Sequence, residues 1–187
     1  MILTMSIRTI CCKMVPTPVM VNQLAITCET FAKACNSILS IAIKESTHNN
    51  IKLHHLCYRK IRDEFGLSAN LTIRAVRRVS AMMTSSKKHG RKPKEFRPTS
   101  VDYDARIFDF RERDETVSLT VVGGRIHVPL VLGEFQRSGL KGKRPTSAVL
   151  VRKGKSWFIH ISVEDIDESP RSGPPIGVDL GIRNTVA

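Results

Sequence analysis

One acid in this chain stands where a carboxylate could do chemistry. Asp179 lies in Gly177-Val178-Asp179-Leu180-Gly181, an acid on a short apolar strand with glycines close on either side. Such an acid can hold a divalent metal ion at a sheet's centre while backbone and substrate phosphate approach closely. A second reactive class is cationic. Arg74, Arg77 and Arg78 fall on one arc of a helical segment, with no acid four residues away to pair with them, which suits contact with phosphates. Lys87, Lys88, Arg91, Lys92, Lys94 and Arg97 follow in a stretch that Gly90 and Pro93 keep out of regular structure, a basic linker or phosphate-tracking loop. Lys141, Lys143 and Arg144 make a second basic loop, within a hairpin connection.

Cysteines and histidines carry no comparable pattern. Cys11, Cys12, Cys28, Cys35 and Cys57 form no C-x-x-C pair, and His54, His55, His127 and His160 lack metal-ligand spacing. The thiols read as free, in a reducing cytoplasm. Tyr58, Phe96 and Tyr103 stand near basic residues, where they could stack on bases or pack in the core.

The balance of charge points the same way. With 30 Lys and Arg against 17 Asp and Glu in 187 residues, the formal charge is +13, and a polyanion is the expected partner. A membrane surface fits less well, because there is one Trp and no basic amphipathic helix with a large aromatic face. The apolar stretch from Met1 to Val15 is broken by Arg8 and Lys13 and has no small-residue cleavage site, so it reads neither as a signal peptide nor as a membrane span. No membrane and no small-molecule substrate is expected.

The elements that must position these residues are legible in the periodicity. Residues 5–15 have the content of one strand, and Thr17 with Pro18 signals a helix start. Leu24, Cys28, Phe31, Cys35, Ile38 and Ala42 then recur at helical spacing, as do Leu53, Leu56, Cys57 and Ile61 before Gly66, and Leu71, Ala75, Val79 and Met82 after the cap Ser68. Three amphipathic helices make a small bundle. Beyond the basic linker the period changes to two: Val117, Leu119, Val121, then Ile126, Val128, Leu130 around a Gly123-Gly124 turn, then Trp157, Ile159, Ile161, Val163 after a turn at Lys153-Gly154. Several short antiparallel strands suggest a barrel. The acidic run from Glu164 to Glu168 and the prolines that follow read as a solvated boundary.

This order of parts resembles the amino-terminal half of the TnpB (OrfB) family of transposon-encoded RNA-guided nucleases, relatives of the type V CRISPR effectors. Gly177 to Gly181 is similar to the first RuvC motif of their RNase H-like nuclease domain. Phe31 to Asn36, Ser68 to Arg78 and Gly154 to Ile159 are further matching stretches, and the resemblance covers essentially the whole chain. It implies an α+β fold: a small antiparallel wedge-type β-barrel with an inserted three-helix bundle, followed by the first strand of an incomplete RuvC-like domain. On that resemblance the parts are a first barrel strand (1–16), a recognition-type helical bundle (17–86), a basic linker (87–100), the rest of the barrel (101–165), a second linker (166–175) and the RuvC-like strand (176–187).

The resemblance also implies partners and a cofactor. Guide RNA and target DNA would be held mainly by backbone and shape, base pairing supplying sequence choice, in a prokaryotic, nucleoid-associated cytoplasmic setting. Magnesium serves the family's RuvC site, where Asp179 matches the first carboxylate. A two-metal site needs several carboxylates from different strands. The family's others lie beyond the position matching residue 187, so this chain is expected to bind magnesium only weakly and to cut no DNA alone. Residues 176–187 are expected to offer unpaired strand edges and so to be disordered, to self-associate or to dock on the barrel. The alternative is a stand-alone RNA- or DNA-binding regulator without the nuclease; a blander one is a basic structural protein that binds RNA by charge.

Overall fold

The computed structural model describes residues 4–167. Burial of Ile10, Cys12 and Met14 at alternate positions marks the inward face of the first strand, β1 (Thr4–Met14). Thr17 caps the helix that follows, α1 (Pro18–Lys44), its hydroxyl accepting from Met20 N at 3.4 Å, and Pro18 sits where a helix has no use for an N–H. All six residues of the expected stripe from Leu24 to Ala42 are fully buried. Asn49 caps α2 (Asn50–Phe65), which buries Leu53, Cys57 and Ile61. Leu56, expected on that stripe, is 44% exposed, because position 56 turns away from the side shared by 57 and 61. Ser68 caps α3 (Ala69–Lys88), which buries Leu71, Ala75 and Val79.

The strands after α3 are β2 (Ser100–Asp104), β3 (Phe108–Arg111), β4 (Thr116–Val121), β5 (Gly124–Val131), β6 (Pro145–Lys153) and β7 (Ser156–Asp167), with a short helix, α4 (Glu134–Leu140), between β5 and β6. They form one sheet in the order β2-β6-β7-β1-β5-β4-β3, antiparallel at every pairing. The edge strands β2 and β3 are joined by a short turn, and β3 lies against β6, so the sheet is nearly closed into a barrel. The chain is therefore α+β. Residues facing inward from all strands, among them Val101, Tyr103, Leu119, Val128, Leu150 and Ile159, share one apolar core with the buried stripes of α1 and α3.

Three details differ from the sequence reading. The turn between β4 and β5 is Val122-Gly123, not Gly123-Gly124, since Val121 pairs with Gly124; Gly123 supplies the positive φ of 88°. The segment carrying Lys141, Lys143 and Arg144 is not a hairpin loop. It joins β5 to β6, which do not pair, by way of α4, and Gly139 of α4 lies so close to β1 that a Cβ there would stand 2.7 Å from Ile10 Cδ1. Finally, the acidic run does not end the barrel: β7 continues to Asp167, its backbone paired with Thr4 to Ile7 of β1. Strand pairing satisfies main-chain groups whatever the side chains are, so acidity alone did not stop it.

Polar pins fasten the helices to the strands. Thr27 Oγ1 donates to Gln23 O at 2.7 Å and accepts from Val122 N at 3.0 Å, tying α1 to the β4–β5 turn. Ser80 Oγ donates to His48 O at 2.6 Å, tying α3 to the connection between α1 and α2.

Candidate nucleic-acid interface

The three arginines of α3 do different work. Arg78 is bidentate with Asp102 of β2, at 2.6 Å from Nε and 2.8 Å from Nη2, and donates from Nη1 to Ser100 O at 2.8 Å. Its guanidinium also lies 5.1 Å from the centroid of Phe31. Fork, carbonyl and ring together engage the group within the fold, so Arg78, expected at phosphate, serves here as a structural cation. The acid that pairs with it is 24 residues away in sequence, where a search for acids along one helix cannot find it. Arg74 is half-buried, its Nε enclosed without a hydrogen-bond partner. Its charge adds to the field on Asp104: burial pushes that carboxyl up, but hydrogen bonds and charge from Arg106, with Arg74 behind them, hold it below the ordinary carboxylate range. Arg77 faces solvent.

The linker is basic, exposed and anchored. Lys87 and Lys88 lie in the last turn of α3, so the linker begins after residue 88 rather than at 87 as expected, because nothing breaks the helix before Gly90; both lysines, with Arg91, Lys92, Lys94 and Arg97 beyond the helix, are exposed. Asn36 of α1 pins the middle of the segment, Nδ2 donating to Phe96 O at 3.0 Å while Oδ1 accepts from Phe96 N at 2.8 Å. Phe96 itself packs against the core, which decides its fate as packing rather than base stacking. Lys94 and Arg97 thus flank a fixed point. The start of the linker is set by Gly90 at φ +60°, with Gly90 N donating to Lys87 O and Arg91 N donating to Ser86 O at 2.9 Å, a Schellman turn that folds Arg91 and Lys92 back past the helix end.

The end of α1 is built alike. Ser46, at φ +46°, donates from its N to Ile43 O, and Thr47 N donates to Ala42 O at 3.0 Å. Between the two helix ends lies a cleft of about 580 Å³, lined by Ile43, Ser46, Thr47 and His48 on one side and Met83, Ser86, Lys87, Arg91, Lys92 and Pro93 on the other. Part of the positive charge here answers the partial negative charge of two helix C-termini, to which Lys44, Lys87 and Lys88 are well placed. Arg91, Lys92, Lys94 and Arg97 lie beyond the helix and have no such duty.

Charge divides sharply between the two halves. Residues 17–100 hold 15 Lys and Arg against 5 Asp and Glu, a net +10, whereas the strand half, residues 4–16 and 101–167 together, holds 13 against 10, a net +3. Lys141 and Arg144 are exposed and Lys143 is half-buried, but they follow a segment where Glu112 accepts from Gly142 N and Glu115 pairs with Arg137. That loop therefore sits among acids, unlike the linker.

The aromatic residues near cations also separate. Tyr103 is fully buried, its hydroxyl without a partner and its pKa pushed up by burial. Tyr58 instead stacks on His54 at 4.6 Å on the outer side of α2, next to Arg59 and Lys60, a surface pair that the helical spacing of 54 and 58 permits. Cys11 is exposed while Cys12, Cys28, Cys35 and Cys57 are buried, and burial raises the first three of those thiols to about 12 and Cys57 to about 11.

Asp179 and the strand expected over residues 176–187 lie outside the described residues. Among the described residues no three His, Cys, Asp or Glu side chains converge as a metal site, and no helix is long and apolar enough to cross a membrane. No protein-family model matches the chain, and neither does any curated protein sequence.

Proposed function

We propose that this protein is a nucleic-acid-gripping unit, with the helical half as the grip, and that it serves as the guide-RNA and target-DNA binding portion of a TnpB-like RNA-guided nuclease. The observation that carries the reading is the partition of charge: +10 on residues 17–100 against +3 on 4–16 and 101–167 together, with half of the surplus, a net +5 over residues 87–97, exposed on the α3 end and on a linker anchored at Phe96. An anchored cationic segment is preorganised for a phosphate backbone, since less ordering entropy opposes binding. In this reading the strands are the wedge, α1 to α3 are the recognition part inserted between β1 and β2, and Asp179 is the first RuvC-type carboxylate, a magnesium ligand.

Binding to RNA and to DNA tests the grip. Affinity should fall steeply with salt, with a log–log slope of roughly −4 to −7 for ~5 to 8 neutralised phosphates. A response flat in salt refutes it. Asp179→Ala should leave binding unchanged, because its role is in metal chemistry rather than in holding the strand. Sequencing the RNA that co-purifies tests the family assignment separately: transposon-end transcripts support it, and bulk ribosomal RNA favours the charge-only binder.

A further inference from the structure

We propose that the cleft between the C-terminal ends of α1 and α3 receives one unpaired nucleotide, with the base on an apolar floor and its phosphate at a basic rim. The proposal rests on the nucleic-acid reading above and says where on the grip a single-stranded segment is told from a duplex. Ile43, Met83 and Pro93 supply the floor, and Lys87, Arg91 and Lys92 the rim; no acidic side chain lines the cleft. Ile43 is 51% exposed, one residue beyond the last buried position of α1, so its apolar surface is open to a ligand.

Chemistry selects the occupant. A duplex keeps its bases stacked inside and shows phosphates outward, so it would use the rim and leave the floor wet. A lone phosphate would likewise ignore the floor. An unpaired nucleotide has a flat apolar face and an anion a few bonds apart, and satisfies both. The volume of about 580 Å³ suits a base with its ribose. The two Schellman turns define the cleft walls: the one at Gly90 folds Arg91 and Lys92 back, and the one at Ser46 presents Ile43 beside Thr47.

Affinity of the whole chain for a short single-stranded RNA and for an RNA duplex of the same length provides the test, with Ile43→Glu and the uncharged Ile43→Ser as variants. Ile43→Ser should weaken the single strand about fivefold and the duplex less than about twofold, through lost apolar contact alone, and Ile43→Glu, which also repels phosphates at the rim, should weaken both ligands, the single strand more. Thermal unfolding confirms the fold; should the charge disturb α1, Ile43→Ser alone carries the comparison. Equal losses for both ligands, or no loss for either, overturn the cleft assignment while the grip stands. Failure of the unaltered protein to bind either ligand overturns the grip itself and this proposal with it.

Discussion

Replacing Arg78 by Gln should unfold the protein sooner and leave its grip on nucleic acid alone. The substitution removes a two-pronged ion pair to Asp102, a hydrogen bond to Ser100 O and a cation held over Phe31. What remains is the Asp102 carboxylate, with a side chain only 20% exposed and no partner of opposite charge in place. Breaking a fully buried pair from one side costs about 3–5 kcal/mol; with both partners partly wet, about 2–4 kcal/mol is the reasonable expectation here. For a chain of this size each kcal/mol moves the melting temperature by ~2–4 °C, so a fall of about 4–16 °C should appear in calorimetry. Removing both charges together, as Arg78→Met with Asp102→Leu, should recover part of the loss, because no buried carboxylate is then stranded. Binding measured well below the transition should keep its salt dependence. A variant that melts within about 1 °C of the parent and loses about 0.9 from the salt slope would show that Arg78 meets phosphate after all.

Other perturbations separate gripping from folding. Changing Arg91, Lys92 and Lys94 together to Gln should flatten the salt slope by about 2–3 for duplex DNA while hardly moving the melting temperature, since these side chains are exposed; an unchanged slope removes the linker from the interface. Asn36→Ala cuts both hydrogen bonds to Phe96 and should cost about 1–3 kcal/mol in urea unfolding, with faster amide exchange at Phe96; slow exchange there would mean the anchor lies elsewhere. Ser46→Gly relieves a left-handed backbone and should stabilise by about 1 kcal/mol, and a lower urea midpoint would contradict the Schellman geometry. Under native conditions one thiol, Cys11, should react with a maleimide. The buried thiols keep their protons when folded to about pH 11–12 but lose them near pH 9 when unfolded, so stability should be full below about pH 9 and decline as pH rises above it. Rapid labelling of Cys35 would refute that burial.

Local physics was readable from the chain alone. The caps Thr17 and Ser68, the buried stripe from Leu24 to Ala42 and the inward faces of β5 and β7 depend on residues within a turn or two of each other, and a helical or twofold period reports them directly. The predominance of cations, too, is a property of composition. Whatever depended on distant partners was decided only by the fold. Asp102 claims Arg78, Asn36 catches Phe96 across 60 residues, and the sheet order places β1 between β7 and β5, far from either in sequence. The short helix α4 lies between two glycines with too few residues to show a period, and its place is set by the contact of Gly139 with Ile10. The basic cleft belongs to the same class: its walls come from the ends of two helices about forty residues apart, each with an ordinary local sequence, and only their side-by-side packing brings apolar floor and cationic rim together.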